Sequence, residues 1–442
     1  MNFTSGEISF NALPPRPVSS SQGQAMRSVD AALHPQTDPS SRMRILVTDG
    51  GERSALAVTR ALGKYHADVL VGAETERCLA ATSRYCWKSF TYASPYRQPL
   101  AFLNDLVDAI RRHRVTILLP MSDVTMTLVE QESHVLAQHT TLPIPPEEAF
   151  STLSDKSRLL QLARTLDVPV PETVYVPPGQ LTSVIDAIPE FPVVVKPFRS
   201  LVNIGGTWRK TGVHYASRRA ELERLYRDID YLQFPSLIQR RVDGQGQGVF
   251  ALMDRGKVIA LFAHLRLRER PPTGGVSVLC ESISLPEPAT GYALRLLRHV
   301  GWHGVAMVEF KVDRLTGIPM LMEVNCRFWG SLQLAVDAGV NFPDLLCRLA
   351  VGQTVPPSPP AYRIGIRSRW LLGDLDSLLA RLFKPQPMLA APDLPFSLRA
   401  LLDFCRFPQP CTRNEVFRLS DPLPSAFELY EYLAHTLRAL TR

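Results

Sequence analysis

Two glutamates and an asparagine in GVAMVEFKVDRLTGIPMLMEVNCRFWGS, residues 304–331, are the first candidates for chemistry. The stretch reads as a β-hairpin: Val305 to Val312 and Pro319 to Asn325 are rich in Val, Met and Phe, and Asp313 to Ile318, with Gly317, supplies the turn. With the turn centred near Thr316, Glu309 and Glu323 stand directly opposite each other. Like charges in a cross-strand pair destabilise by roughly 0.2–1 kcal/mol, and by more when desolvated. The period of two puts Asn325 on the face of Glu323 and adds a third oxygen. A hard divalent cation accounts for all three, so Glu309, Glu323 and Asn325 are candidate metal ligands.

Cations occur upstream where the local pattern disfavours them. In LSDKSRLLQLARTLDVPVPETVYV, Ser154 reads as a helix N-cap and places Lys156 in the first turn. The helix dipole disfavours a cation there by roughly 0.3–1 kcal/mol, which a bound anion such as phosphate would offset. An exposed lysine tolerating its position is the bland alternative. Lys196 ends the apolar strand FPVVVKPF and must snorkel, pair or bind an anion. Gly205, Gly206 and Gly212 follow among Arg and Lys residues, a composition that lets backbone N–H groups approach phosphate but that any mobile hairpin shares. Gln239, Arg240, Arg241 and Val242 form a strand end with exposed backbone at a subdomain junction, a natural place for an adenine edge. Arg266 and Arg270 precede the Pro/Gly loop RPPTGGVSV and could grip a carboxylate or phosphate, or be surface charges.

The elements that must position these residues follow from periodicity. Residues 1–42, with PPRPVSSSQGQ, have the composition of a disordered tail, and Met43 is the expected effective start of folded sequence. RILVTDGG, ERSALAVTRALGKY and DVLVGAE read as strand, helix and strand of a parallel α/β unit. A further strand, VTILLP, ends at Pro120, so Ser122 and Asp123 lie at a strand's carboxyl end, where open α/β sheets bind ligands; Ser122 could equally just cap the next helix. The turn T-D-G-G-E-R does not match G-x-G-x-x-G, which argues against a dehydrogenase. SLIQRRVDGQGQGVFALMDRGKVIALFAHLRLRE reads as a strand, a Gly-rich break and a hairpin turning at Asp254 to Lys257. Helical spacing holds from Gly330 to Gly352, QTVPPSPPAYR is a proline-rich linker, and short amphipathic helices follow, expected to pack on the body or a partner.

Composition narrows the class. The 442 residues are 45% hydrophobic, enough for two or three domains with real cores. The net charge of +7 arises from scattered charges of both signs, so neither nucleic acid nor membrane is the expected partner. Cys78, Cys86, Cys280, Cys326, Cys347, Cys405 and Cys411 form no C-x-x-C pair, which fits free thiols in a reducing cytoplasm. No apolar run approaches the roughly 20 residues of a membrane span.

Taken in order, Lys156, Lys196, the glycine loop, Gln239, Glu309 and then Glu323-Val324-Asn325-Cys326-Arg327 resemble the ATP-grasp superfamily of carboxylate–amine or thiol ligases, from about Met43 to Gly352. Asn325-Cys326-Arg327-Phe328-Trp329-Gly330-Ser331 is similar to the NPRFWGS-type motif of carbamoyl-phosphate-synthase-like members. The resemblance implies an α/β (α+β) fold: a Rossmann-like pre-ATP-grasp domain (43–145), a two-subdomain ATP-grasp domain (146–352, lid about 192–235) and a small helical C-terminal extension (353–442). It implies that Lys156, Lys196, Gly205 and Gly206 contact ATP phosphates, that Gln239 to Val242 hold adenine, and that Glu309, Glu323 and Asn325 bind Mg²⁺ or Mn²⁺. Arg327 would stabilise charge on the transferring group, with Arg266 and Arg270 as further catalytic candidates. The expected partners are a small-molecule carboxylate and an amine, with a homodimer as the default assembly. A non-catalytic nucleotide-binding module and a bicarbonate-using carboxylase are the alternatives. Two departures stand out: Arg240, Arg241, Gln245 and Gln247 replace the acids usual near the hinge, and Cys326 replaces the usual Pro, with a reactive-thiol role not expected.

Overall fold

The apolar runs of the first third pair as parallel strands. β1 (Arg44–Val47), β2 (Asp68–Ala73), β3 (Lys88–Thr91) and β4 (Ile117–Leu119) form a sheet of order β3-β2-β1-β4. Helices Arg53–Gly63 and Pro99–His113 connect them, as in other α/β units. β3 is exposed apart from the half-buried Phe90 and has no continuous apolar run, so sequence pattern missed it. This computed structural model describes residues 42–65, 67–188, 190–272, 274–356, 360–383, 396–406 and 411–440. The expected tail lies outside the described residues apart from Arg42, as does part of the proline-rich linker.

Two more sheets follow. β5 (Thr173–Val176), β6 (Val193–Pro197), β9 (His214–Ala216) and β10 (Ser236–Arg240) make an antiparallel sheet of order β5-β10-β6-β9, and β7 (Leu201–Ile204) pairs with β8 (Thr207–Lys210) as a separate hairpin. Leu201 packs into the core of the first sheet, and Trp208 donates its backbone N–H to the Tyr96 carbonyl at 2.8 Å. The hairpin between β6 and β9 is therefore docked on the α/β domain.

The large sheet joins β11 (Gly244–Asp254), β12 (Lys257–Arg270), β13 (Val276–Ser282), β14 (Gly304–Asp313), β15 (Pro319–Asn325), β16 (Arg367–Arg369) and β17 (Thr412–Asn414) in the order β15-β14-β11-β12-β13-β16-β17. One face packs on the helices around Phe150, Leu159 and Leu296, and the other shares a core with the first domain through Phe250, Trp329 and Leu56. Two sequence expectations are corrected here. GQGQG is no break: its glycines lie inside β11, where a Cβ at Gly244 would stand 1.9 Å from the Val312 carbonyl oxygen. The C-terminal segment is not purely helical either, because β16 and β17 extend the large sheet.

That segment is fastened to the first domain by buried ion pairs. Arg60 Nε meets Asp421 Oδ2 at 2.8 Å and donates to the Glu415 and Val416 carbonyls, while Arg53 Nη1 meets Glu415 Oε2 at 2.5 Å. Among the described residues no helix is long and apolar enough to cross a membrane. Replacing Gly244 by Ala forces its methyl into a main-chain oxygen that cannot swing away, so Gly244→Ala should destabilise by about 1–3 kcal/mol; an unchanged urea midpoint would contradict the close packing of β11 on β14.

Candidate active site

The hairpin of β14 and β15 carries the carboxylates as the spacing predicts, but by a different route. Asp313 caps the turn by accepting from the Leu315 and Thr316 N–H groups at 3.0 and 3.1 Å, and Gly317 takes the left-handed conformation there (φ +69°). Near the turn Phe310 pairs with Leu321 and Val312 with Pro319, a register that alone would set Glu309 against Met322. A bulge at Met322 inserts one residue and restores Glu309 opposite Glu323.

Each carboxylate has a cation from another element. Arg266 Nη2, from β12, meets Glu309 Oε2 at 2.6 Å and its Nη1 meets Glu269 Oε1 at 3.0 Å. Lys156 Nζ stands 3.5 Å from Glu323 Oε2 and donates to Ser200 Oγ at 3.3 Å. Asn325 Nδ2 donates to Glu309 Oε1 at 3.0 Å. Burial pushes the Glu309 carboxyl up against the pull of Arg266, and Glu323 adds to the rise. For Glu323 burial acts in the same direction, but Lys156 and Lys196 outweigh it and hold the carboxyl below its ordinary value. Two half-buried carboxylates and an amide oxygen form a set of hard ligands. These residues fit Mg²⁺ or Mn²⁺.

Around them opens a cleft of about 410 Å³. Lys156, Lys196 and the strand end Gln239 to Val242 line it, with Met307 and Met322 on the apolar floor. Lys156 is the first residue of helix Lys156–Thr165, as expected, but the cap is Asp155, whose carboxylate accepts from the Ser157 and Arg158 N–H groups; Ser154 ends the preceding helix. Burial lowers the Lys196 ammonium to about 8 despite the nearby Glu323, and among the described residues it forms no ion pair. Gln239 is buried and donates Nε2 to Thr173 Oγ1 at 2.9 Å, while Arg240 stands 3.8 Å from Asp313. Arg327 reaches the first domain: its Nε and Nη2 grip Asp123 at 2.7 and 3.0 Å. Burial alone would raise the Asp123 carboxyl, but Arg327 and then Lys156 hold it below its ordinary value.

Other candidates lie elsewhere. Arg270 turns from the cleft to Asp376 at 2.8 Å, over the Trp370 ring. Gly205 and Gly206 form the open tip of the β7-β8 hairpin, where left-handed φ is needed, and do not line the cleft; Lys210 to Val213 do. Cys326 is buried and burial drives its thiol upward, away from reactivity. Ser122 both caps its helix, accepting from the Thr125 N–H at 3.3 Å, and donates to Asp49 Oδ1 at 3.0 Å. Asp49 itself fills the β1 turn, accepting from Thr48 and Thr125 as well, so a carboxylate stands where a dinucleotide phosphate would need to approach.

Sequence reasoning missed Asp123 as the partner of Arg327 and the alternate glycines of β11. A Cβ at Gly246 would lie 2.9 Å from Arg266 Cδ, and one at Gly248 would lie 3.0 Å from His264 Nε2. The bare strand therefore lets Arg266 lie across it to reach Glu309. Glycine at period two inside an apolar strand was the available signal.

Comparison with known proteins follows the same geometry. The model for "ATP-grasp in the biosynthetic pathway with Ter operon" matches residues 234–373, which hold Gln239, both glutamates, Asn325 and Arg327. The fold is ATP-grasp. An L-amino acid ligase from Bacillus licheniformis superposes with TM-score 0.56 at 13% identity, over 71% of this chain and 75% of that one. The biotin carboxylase domain of 2-oxoglutarate carboxylase from Hydrogenobacter thermophilus, solved with MgADP, ADP and bicarbonate, gives 0.58 at 17% over 74% of each chain. N5-carboxyaminoimidazole synthetase from Staphylococcus aureus gives 0.57 at 14%, over 78% of this chain and 88% of its own. No curated protein matches the chain.

The Asp123 to Arg327 pair ties the loop after β15 to the α/β domain, and its loss leaves a guanidinium without its carboxylate. Asp123→Asn should cost about 1–3 kcal/mol, less than a fully buried pair because water reaches both groups. Since the folded pKa is depressed, this stability is present above the unfolded value of about 3.8 and lost as pH falls below it. The variant's unfolding free energy should therefore converge on wild type at acid pH; a constant gap between pH 7 and pH 3 would refute the linkage.

Proposed function

We propose that the protein is an ATP- and Mg²⁺-dependent ligase that activates a small-molecule carboxylate as an acyl phosphate and couples it to an amine. The observation that carries this is the convergence of Glu309, Glu323 and Asn325 with Lys156, Lys196 and Arg327 on one cleft. In this reading 43–145 is the preceding α/β domain, 146–352 the ATP-grasp domain with its lid at about 192–235, and 353–442 an extension that completes the sheet. A homodimer is the expected assembly. The Bacillus licheniformis neighbour is named as an amino acid ligase and the Hydrogenobacter thermophilus structure holds MgADP, which supports the substrate class and the cofactors.

Residue roles follow from position. The strand end Gln239 to Val242 offers backbone groups to adenine above Met307 and Met322. Lys156 and Lys196 hold phosphate oxygens, and Glu309, Glu323 and Asn325 hold Mg²⁺, which supplies charge neutralisation at those oxygens. A substrate carboxylate oxygen attacks the γ-phosphorus, the bond to the β–γ bridging oxygen breaks, and ADP leaves. The amine nitrogen then forms a bond to the acyl carbon, the carbon–oxygen bond to phosphate breaks, and the amine proton passes to solvent. Arg327, held in place by Asp123, faces the negative charge that develops on the transferring group. Arg266 orients Glu309 from β12 and is a positioning residue. Bicarbonate in place of an organic carboxylate would share the first step, and two of the three neighbours carry carboxylase-type names.

Phosphate release by the purified protein should require ATP, Mg²⁺, a carboxylate and a nucleophile together, with bicarbonate among the carboxylates screened. Glu323→Gln should lower turnover by about 10²–10³-fold, as removing a transition-state charge stabiliser does, with the unfolding midpoint little changed. AMP as the product, or ATP binding without turnover across a wide screen, would overturn the ligase reading. Lys196 gives a second test. Its folded pKa of about 8 lies below the ordinary lysine value, so its positive charge is present below that pH and lost above it. ATP affinity measured by calorimetry should weaken as pH rises past 8, and Lys196→Arg should flatten that limb; a flat wild-type profile would remove Lys196 from the phosphate site.

A further inference from the structure

A second cavity, of about 270 Å³, shares Glu323 but not Glu309 with the nucleotide cleft. Lys156, Glu323, Asn325 and Arg327 line both it and the nucleotide cleft. Three further segments complete its walls. Met126 and Glu130 belong to the helix Asp123–Gln131 that follows β4, Glu147 and Phe150 to helix Glu147–Ser154, and Trp208 to the docked β7-β8 hairpin. Met126, Phe150 and Leu153 are buried and give it an apolar middle.

Its charges do not cancel. Every cation on the wall has a carboxylate of its own: Lys156 has Glu323, Arg327 has Asp123, and Arg199 has Asp155 at 3.2 Å. Glu130 and Glu147 are left over, and among the described residues no cation stands within ion-pair distance of either. Burial pushes the Glu130 carboxyl up and Glu147 pushes it further, with Arg199 too distant to reverse the rise. A cavity that is neutral beside Glu323 and Arg327, apolar in the middle and doubly acidic at its solvent-exposed end is complementary to a zwitterion.

We propose that this cavity binds the carboxylate co-substrate, and that this substrate is an amino acid with its cationic group several bonds from the reacting carboxylate. The carboxylate end lies toward Glu323, Asn325 and Arg327, the stem runs along Met126, Phe150 and Trp208, and the ammonium is held by Glu130 and Glu147. The assignment rests on the ligase reading for which end reacts; the charge preference of the cavity does not.

Equilibrium binding separates the two. Calorimetry compares ω-amino acids of four to six carbons with the monocarboxylates and dicarboxylates of the same chain length, which carry a positive, neutral or negative distal end. For at least one length the ω-amino acid should bind about tenfold more tightly than the monocarboxylate, with the dicarboxylate weakest. The double variant Glu130→Gln, Glu147→Gln, checked for an unchanged unfolding midpoint, should abolish that order. Equal affinities at every length, or a preference that survives in the double variant, overturns the proposal. Such a result with phosphate release intact leaves the ligase reading standing. The preferred order of binding without phosphate release from any substrate pair overturns the ligase reading and keeps the cavity.

Discussion

Two carboxylates facing each other across adjacent strands are the constraint on which the rest of the site depends. Glu309 and Glu323 cannot both stay ionised in a half-buried setting unless positive charge is brought to them, and the chain brings it from afar. Arg266 comes from β12, two strands away across β11, and Lys156 from the start of a helix more than a hundred residues earlier. Asn325 adds a neutral donor from the same strand as Glu323. Removing any one of these would leave like charges opposed at short range. The pairing thus links the large sheet, helix Lys156–Thr165 and, through Arg327 and Asp123, the α/β domain.

Backbone geometry makes that pairing possible in two places. The bulge at Met322 corrects the register by one residue; without it Glu309 would face Met322, and Glu323 would point to the opposite side of the sheet. The glycines of β11 clear a path for Arg266. Behind the loop that carries Arg327 a third device operates. Arg53, in ion contact with Glu415, stacks 3.9 Å from the Trp370 ring and lies against Gly330, so the C-terminal segment buttresses the loop that carries Arg327. Burial lifts the Glu415 carboxyl to about 7 even with Arg53 pulling it down.

Much of this was legible from residue types. The hairpin, the facing glutamates, Asn325 and the two lysines announce themselves because charge interrupts apolar periodicity, and such interruptions survive without knowledge of the fold. The ATP-grasp fold followed from their order. What failed had a common cause: local pattern does not report long-range partners. Arg270 and Arg266 look alike in sequence, four residues apart on one strand, yet one meets Glu309 and the other Asp376. Gly205 and Gly206 have the composition of a phosphate loop but serve a hairpin tip, because their neighbours Leu201 and Trp208 dock on the first domain. β16 and β17 were hidden for the same reason, being three-residue strands defined only by what they pair with.

The pairing also bears on how the proposed reaction would be entered. Lys156, Arg266 and Arg327 each already have a carboxylate, so a polyphosphate arriving alone competes with Glu323, Glu309 and Asp123 for its cations. A divalent cation arriving alone meets carboxylates that are already partly neutralised. A metal–nucleotide complex satisfies both sides at once: its phosphates take the cations as its metal takes the carboxylates, and few charges are left unmatched in a low-dielectric cleft. Lys196 is the exception: among the described residues it forms no ion pair, and it gains most from phosphate because it gives up no such partner to bind it. The cleft is lined by eight basic side chains against four carboxylates, so positive charge is left over for a polyphosphate while a bare metal ion meets a net cationic wall, which favours the magnesium nucleotide over the metal alone.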